Sequence, residues 1–324
     1  MPDLSIIVVG TNERHWLKPC LNSVFKQTTG IEFEVIVVDN ASTDGTGEMI
    51  AAEFPRVKVI RNDHNYGFAS ANNRAIRVAT GNYVLLLNPD TEVLDGAIQK
   101  TIRFMEVHPK SGLVGCRLKY PNGQFQSTAY SFPTVWNALS EATFLYKLFP
   151  RTKLFGQYHL SYLDYDHDVQ VDWLIGAYFL IRREVIAKIG LLDEQFYMYT
   201  EDTDYCYRVK QAGYEVWFTA SGEVTHFYGG MNAFDKRVTI WVQRSQVLFY
   251  QKHYHAAKRI MLLLIKHLGL ALRVVWYFAA GIASMNKKLL NKSLYAGYAI
   301  FRLLTTRWKY VPGYTGEVTP WERY

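Results

Sequence analysis

With 324 residues, 49% of them apolar and 20% charged, the chain can hold one large packed domain or a domain with an appendage. Its three cysteines, Cys20, Cys116 and Cys206, are odd in number and lack metal-ligand or redox spacing, which argues against a disulfide framework and for a reducing compartment. The net charge of +7 is uneven: from residue 250 onward twelve Lys and Arg face only Glu317 and Glu322, a net +10, leaving −3 for the first 249 residues. An anionic partner, lipid headgroups or nucleic acid, is therefore a matter for the tail alone. The start, Met1-Pro2-Asp3-Leu4-Ser5, lacks the basic n-region of a secretory signal, so cytosolic synthesis is expected.

In chain order, Leu4 to Gly10 reads as a strand, Trp16 to Gln27 as a helix, Glu34 to Asp39 as a strand and Asp44 to Glu53 as a helix. Val57 to Arg61 follows as a short strand, Phe68 to Ala79 as a helix, Tyr83 to Asn88 as a strand, Leu94 to Val107 as a helix and Leu113 to Leu118 as a strand. This alternation predicts an α/β fold with a mostly parallel central sheet flanked by helices. Residues 119–170 are irregular and rich in aromatic side chains, which either stack on sugar rings or pack helix on sheet. A second structured block, Val171 to Phe227, holds an apolar strand from Trp173 to Ile181, a short helix, an acidic turn, a helix from Tyr205 to Ala212 and strands around Val216 and Val224.

From Val238 the pattern turns helical and apolar, interrupted by Lys266, His267 and Arg273. The longest uncharged run there, Val274 to Asn286, is shorter than the roughly 20 residues of a spanning helix. Basic residues beside apolar faces, with Trp276, Tyr277, Tyr295, Tyr298 and Trp308, predict helices lying in a membrane interface. The alternative is packing on the catalytic body or on a second copy in a homo-oligomer. Nucleic acid is not expected, because the positive charge is interleaved with aliphatic bulk. The division expected is 1–235, with a nucleotide-binding half 1–118 and an acceptor half 119–235, then a basic amphipathic helical region 236–324.

Two of the buried strands run into a carboxylate: Val35-Ile36-Val37-Val38-Asp39, and Val84-Leu85-Leu86-Leu87-Asn88-Pro89-Asp90. Ligands of such sheets bind beyond the strands' carboxyl ends, so both acids converge on one crevice. A carboxylate there can hold a sugar or base hydroxyl, or a hard cation carrying a diphosphate. The first strand ends Gly10-Thr11-Asn12-Glu13, with neither the glycine pattern of dinucleotide folds nor that of phosphate loops. Thr11 and Glu13 either contact a base or ribose or simply open the next helix. Ser42, Thr43 and Asp44 read as turn and capping residues. Asn65 and Gly67 open a helix whose N-terminus can approach the donor, with Asn73 or Arg74 at the diphosphate end. Arg182 and Arg183 either reach phosphate or are ordinary surface residues at a helix start.

Taken in order, Val37-Val38-Asp39-Asn40-Ala41-Ser42-Thr43-Asp44-Gly45-Thr46, then Asn65-Tyr66-Gly67-Phe68-Ala69, then Asn88-Pro89-Asp90, then Glu201-Asp202-Thr203-Asp204 resemble the motifs of family-2 glycosyltransferases with a GT-A fold. The resemblance covers residues 4 to 230 and is nearest to the bacterial rhamnosyltransferase-like branch that builds cell-surface polysaccharides. It implies that Asp39 reads the nucleotide base or ribose and that Asp90 is the last acid of a metal-binding D-x-D motif. Here Asn88 replaces the first acid, leaving an oxygen but no charge, so either metal affinity is reduced or the metal rests mainly on Asp90 and the diphosphate. His226 stands where relatives carry a late metal-ligating His; its other reading is a histidine hydrogen-bonded at a strand end. By resemblance Asp202 is the general base, with Glu201 orienting it or touching the acceptor, while Asp204 caps the helix. Trp173 and Gly176 match the acceptor side.

The resemblance further implies Mg2+ or Mn2+, a nucleoside diphosphate sugar as donor (dTDP-rhamnose or a UDP-sugar), and a glycan or lipid-linked acceptor. With the basic tail it places the protein in the cytoplasm, peripheral at the inner face of the plasma membrane. Two rivals stand beside it: a nucleotidyltransferase, which would need a basic Gly-rich loop after the first strand, and a non-catalytic nucleotide- or carbohydrate-binding protein whose Asn88 marks a degenerate metal site.

Overall fold

A computed structural model of the chain describes residues 2–227, 236–306 and 308–311. The end of the expected helical region, 312–324, and the expected boundary at 235 lie outside the described residues. The first elements are β1 (Leu4–Gly10), α1 (Arg14–Gln27), β2 (Phe33–Asp39), α2 (Thr46–Glu53), β3 (Lys58–Arg61), α3 (Gly67–Val78) and β4 (Tyr83–Leu87). Then come β5 (Thr91–Leu94), α4 (Ala97–Val107), β6 (Ser111–Lys119), β7 (Phe125–Gln126), β8 (Ala129–Tyr130), α5 (Val135–Ala142) and α6 (Leu145–Leu148). The rest are β9 (Val169–Val171), β10 (Trp173–Leu174), β11 (Tyr178–Arg182), α7 (Arg183–Ile189), α8 (Glu201–Gln211), β12 (Glu215–His226), α9 (Lys236–His253), α10 (Ala256–Ala283) and α11 (Lys287–Thr305).

The chain forms two compact units: residues 1–130, 164–194 and 201–230 make the first, and residues 131–163, 195–200 and 231–324 the second. The aromatic segment 131–163 thus clusters with the C-terminal helices, which a single cut at 235 does not describe.

The first unit is built on a sheet of order β3-β2-β1-β4-β11-β6-β12-β5. Its β3-β2-β1-β4 half is wholly parallel, and the remainder is mixed: β11 runs antiparallel to β4 and β6, while β12 is parallel to β6 and antiparallel to β5. Apolar side chains on both faces explain the unbroken hydrophobic runs: Ile6, Ile7, Val37, Val38, Leu85 and Leu86 are all at most 1% exposed. Burying one such side chain is worth about 1.5–3 kcal/mol. At Gly81 a Cβ would fall 2.5 Å from the Leu4 carbonyl carbon and the Ser5 nitrogen, so only glycine lets the chain enter β4 there.

Three expected boundaries move, each for a pairing reason. The strand expected from Trp173 to Ile181 is broken at Ile175-Gly176-Ala177, because β10 pairs with β8 in a separate ribbon while β11 inserts between β4 and β6. The helix expected from Leu94 begins at Ala97, since Thr91 to Leu94 pair with Glu223 to His226. The helix expected from Tyr205 begins at Glu201, which draws the acidic run into its first turn.

The second unit is helical. Gly269 of α10 meets Ala142, and Gly281 meets Leu290, at distances that leave no room for a side chain without rearrangement. Leu270, Ala296 and Ala299 form a small core between α10 and α11. The 28-residue α10 is long and apolar enough to cross a membrane by length and composition, which counting uncharged runs alone does not reveal.

Candidate active site

Parallel register brings the strand ends together: Gly10 is paired with Asp39, and Val8 with Leu87. Asp39 is 6% exposed and accepts the Ser42 N–H at 2.9 Å. Next to it Asn40, which sequence reasoning passed over, is the hub of the crevice wall. Its Oδ1 accepts from Asn62 Nδ2 (2.8 Å) and the Tyr66 N–H (3.1 Å), and its Nδ2 donates to Asn65 Oδ1 (2.8 Å). Asn65 Oδ1 also accepts the N–H of Gly67 (2.9 Å), whose φ of +80° opens α3, and Asn65 Nδ2 donates to the Thr11 hydroxyl (3.2 Å). Thr11, Asp39, Asn65 and Gly67 are therefore brought to one place. The signal available in the sequence was an amide directly after a strand-ending acid.

The expectations for Asn73 and Arg74 fare differently. Asn73 Nδ2 donates to Leu192 O (2.8 Å) and Glu194 Oε1 (2.9 Å), and its Oδ1 accepts the Leu192 N–H (3.0 Å), so its polar atoms tie α3 to the loop after α7. Arg74 lies 3.8 Å over the Tyr66 ring and donates to Asn62 Oδ1. Arg182 is likewise turned to structure, donating to Ser111 O at 2.7 Å.

Glu13, at the N-cap of α1, is raised to about 7, by burial first and then by the charges of Asp90 and Asp44. Near neutrality it therefore presents a substantial protonated population, able to donate a hydrogen bond as well as accept one. Ser42, Thr43 and Asp44 bind the loop after β1: Ser42 Oγ accepts the Asn12 N–H (2.9 Å), the Thr43 N–H reaches Asn12 Oδ1 (2.7 Å), and Asp44 Oδ2 accepts the Arg14 N–H (3.0 Å).

Asp90 and His226, 136 residues apart in sequence, meet because β12 ends against β5. His226 Nε2 lies 3.3 Å from Asp90 Oδ1 and 3.5 Å from Asn88 Nδ2, and His226 and Asp90 are 4% and 6% exposed. Gln126, a second residue not anticipated, has its Oε1 3.0 Å from His226 Nδ1. With a proton on Nδ1 donated to Gln126, Nε2 is the ring's acceptor and faces the carboxylate. A carboxylate oxygen and an oriented imidazole nitrogen suit Mn2+ or Mg2+. Among the described residues no group of three or more His, Cys, Asp or Glu could hold a metal alone, so further ligands would come from donor phosphate and water.

At the same sheet edge, Asn88 N–H donates to Ala177 O (3.0 Å), placing Gly176 beside it. Asp202 Oδ2 accepts the Gly176 N–H (3.2 Å), and Oδ1 accepts the Thr203 N–H (2.7 Å). Burial outweighs these bonds and lifts Asp202 to about 6. Glu201, 6% exposed with no hydrogen-bond partner for Oε2, is pushed well above the usual range by burial and by the Asp202 charge. Two neighbouring carboxyls are thus both raised by burial, Glu201 further by the charge beside it. The residues leading in, Tyr199 and Thr200, have φ of +67° and +71°, a left-handed pair that costs of order 1–3 kcal/mol per residue. Asp204 is fully buried against Arg208 (2.9 Å), a structural pair. The Trp173 ring stacks on Tyr130 at 4.5 Å, and a side chain at Gly176 would enter the space between Phe68 and Asp202.

The sequence model of Glycosyl transferase family 2 matches residues 5–190. An N-acetylglucosaminyl-diphospho-decaprenol L-rhamnosyltransferase of Mycobacterium tuberculosis is 28% identical over 203 residues, covering 59% of this chain and 66%, just under two thirds, of that protein. The O-antigen biosynthesis protein RfbC of Myxococcus xanthus is 28% identical over 236 residues, 69% of this chain but 17% of that protein. Among solved structures, the mannosyltransferase PcManGT of Pyrobaculum calidifontis, in complex with GDP-Man and Mn2+, aligns over 94% of this chain and 87% of its own with a TM-score of 0.56. At 17% identity that likeness is one of fold, the GT-A arrangement.

Proposed function

Because this chain belongs to glycosyl transferase family 2, a family of enzymes that transfer sugar from nucleotide donors, we propose that it is an inverting transferase. It moves a deoxyhexose, rhamnose before others, from a nucleoside diphosphate to a hydroxyl of a lipid-linked glycan in cell-surface polysaccharide synthesis. The rhamnosyl and O-antigen relatives support that choice of donor and acceptor. The observation that carries the reaction type is Asp202, whose carboxylate is held by the Gly176 and Thr203 amides with its pKa lifted to about 6. A base needs a pKa near the working pH, and general-base help is typically worth about 10²–10⁴-fold.

Asp202 takes the proton from the acceptor hydroxyl as its oxygen attacks the anomeric carbon, through a transition state with oxocarbenium character. The carbon–oxygen bond to the diphosphate breaks as the new one forms, without a covalent enzyme intermediate. Glu201, buried beside Asp202, orients it or touches the acceptor. Asp39 and Thr11 hold the nucleoside, Glu13 adds a donor at the same edge, and Trp173 and Gly176 shape the acceptor side. Asp90 and His226 would hold Mg2+ or Mn2+, which supplies charge neutralisation for the departing diphosphate. The test is nucleoside diphosphate release from dTDP-rhamnose, UDP-glucose, UDP-galactose, UDP-GlcNAc and GDP-mannose with a lipid-linked acceptor. One donor should be used, and Asp202→Asn should lower turnover about 10²–10⁴-fold while leaving donor affinity intact. Near-normal turnover in that variant overturns the role.

The acceptor class draws support from α10. Ile260, Leu264, Leu268, Val275, Trp276 and Ile282 are each 47–68% exposed and share one side of the helix. With a net +10 from residue 250 onward, that face suits an anionic membrane surface. Sedimentation with anionic liposomes at low salt tests it; protein remaining in the supernatant argues against it.

A further inference from the structure

The inner side of α10 carries what its outer side lacks. Lys266, Gly269, Leu270, Arg273 and Tyr277 face a cavity of about 380 Å³ formed within the second unit by α5, α9, α10 and α11. That volume lies in the range of small-molecule sites. Three cations, Lys266, Arg273 and Lys292, line it against one acid, Glu141. Glu141 is engaged by His159 Nε2 at 3.2 Å. Lys266 donates to Gln246, and Arg273 reaches Glu141 O at 3.2 Å and Gly269 O at 3.0 Å, so two of the cations are fixed by their neighbours at the cavity wall.

Nothing in the transfer reaction uses this space, and its polar lining is not self-satisfied. Asn137 is 2% exposed, yet its Oδ1 has no hydrogen-bond partner, and Gln243 Oε1 is buried in the same condition. Uncompensated burial of such groups costs about 1–3 kcal/mol each. Burial also drives the Lys266 ammonium down to about 7, against the Glu141 charge, which raises it. An anion would favour the charged lysine; hydroxyls next to that anion would satisfy the orphaned oxygens.

We propose that this cavity is a second ligand site, for a phosphoryl group carried on a hydroxyl-bearing or lipid molecule, bound by Lys266, Arg273 and Lys292 and distinct from the donor crevice. The warrant is the excess of cations, two of them fixed by their neighbours, around a cavity that also holds unpartnered acceptors. It stands apart from the transfer reading, since every lining residue belongs to the second unit.

Calorimetric titration of the full chain with inorganic phosphate, inorganic diphosphate and dodecyl phosphate below its micellar concentration tests the site. At least one probe should bind, with Lys266→Met or Lys292→Gln weakening it tenfold or more while leaving nucleotide-sugar binding unchanged. A dodecyl phosphate affinity well above that of the inorganic ions assigns a lipid source; comparable affinities assign a free phosphoryl compound. Replacing buried Lys by Met is expected to preserve folding, and Lys292→Gln gives a second reading if it does not. Binding by none of the probes, or binding equal in wild type and both variants, overturns the site and shows a merely solvated cavity. Either result leaves the Asp202 test untouched.

Discussion

The two units handle apolar side chains in opposite ways. In the first, Val35 to Val38 and Val84 to Leu87 are at most 2% exposed, and polar groups gather where the strands end. In the second, α10 turns Leu264 and Val275 outward at 65% and 68% exposure while Lys266 and Arg273 face its interior cavity. An apolar run is therefore not by itself a core signal: the same residue types make a dry sheet in one unit and an unpartnered face in the other. The difference teaches where to place chemistry, at a sheet edge in the first unit and inside the helical cluster in the second.

One substitution made in both places should have opposite consequences in the two units. Leu85→Glu puts a carboxylate into the fully buried centre of the sheet and should unfold the first unit, a loss above about 4 kcal/mol. Leu264→Glu should leave the melting temperature within about a degree, since exposed changes stay within about 0.5 kcal/mol, yet reduce liposome binding. A large destabilisation by Leu264→Glu would mean that this face is covered. Smaller in effect is Gln126→Leu. Removing the acceptor of His226 Nδ1 should weaken Mn2+ binding about 10–100-fold, read as a reduced thermal shift with metal and nucleotide. An unchanged shift would mean that Gln126 does not orient the ring.

How far the sequence foretold this follows the same division. The βαβ alternation up to β4 was legible because parallel strands covered on both faces leave continuous hydrophobic runs with little ambiguity. Strands β5, β7 and β8 were not, because these two- to four-residue segments carry no periodicity and exist only through distant partners, Thr91 to Leu94 through Glu223 to His226 for instance. Asp39 and Asp90 were visible as acids just beyond apolar strands and Glu201-Asp202 through the family resemblance, whereas Asn40 and Gln126 are amides that could have stood anywhere on a surface. Asn73 shows the reverse: a polar residue near a promising helix start whose amide is claimed by Leu192 and Glu194, 119 and 121 residues away in sequence. The cavity cations were counted as interfacial charge, since only the packing of α10 on α5 and α11 turns them inward.

The smallest expected effect is the most discriminating within the first unit. Glu201 and Asp202 sit in one helical turn, both raised by burial, but Asp202 has the amides of Gly176 and Thr203 to support its charge, whereas Glu201 Oε2 has no hydrogen-bond partner. A base must be ionised to act, so kcat/KM should climb with unit slope toward an apparent pKa near 6 and then level. Stability runs the other way. Both carboxyls bind their protons more tightly folded than unfolded, so their contribution is complete below the unfolded values of 3.8 and 4.5 and is lost as pH rises through the folded ones. Glu201→Gln keeps the shape of the side chain and removes its ability to ionise beside Asp202. It should therefore keep kcat/KM within about threefold, under 1 kcal/mol, and flatten the alkaline part of the stability profile, checked by melts from pH 5 to 9. A collapse in rate equal to that of Asp202→Asn would transfer the proton-abstracting role to Glu201.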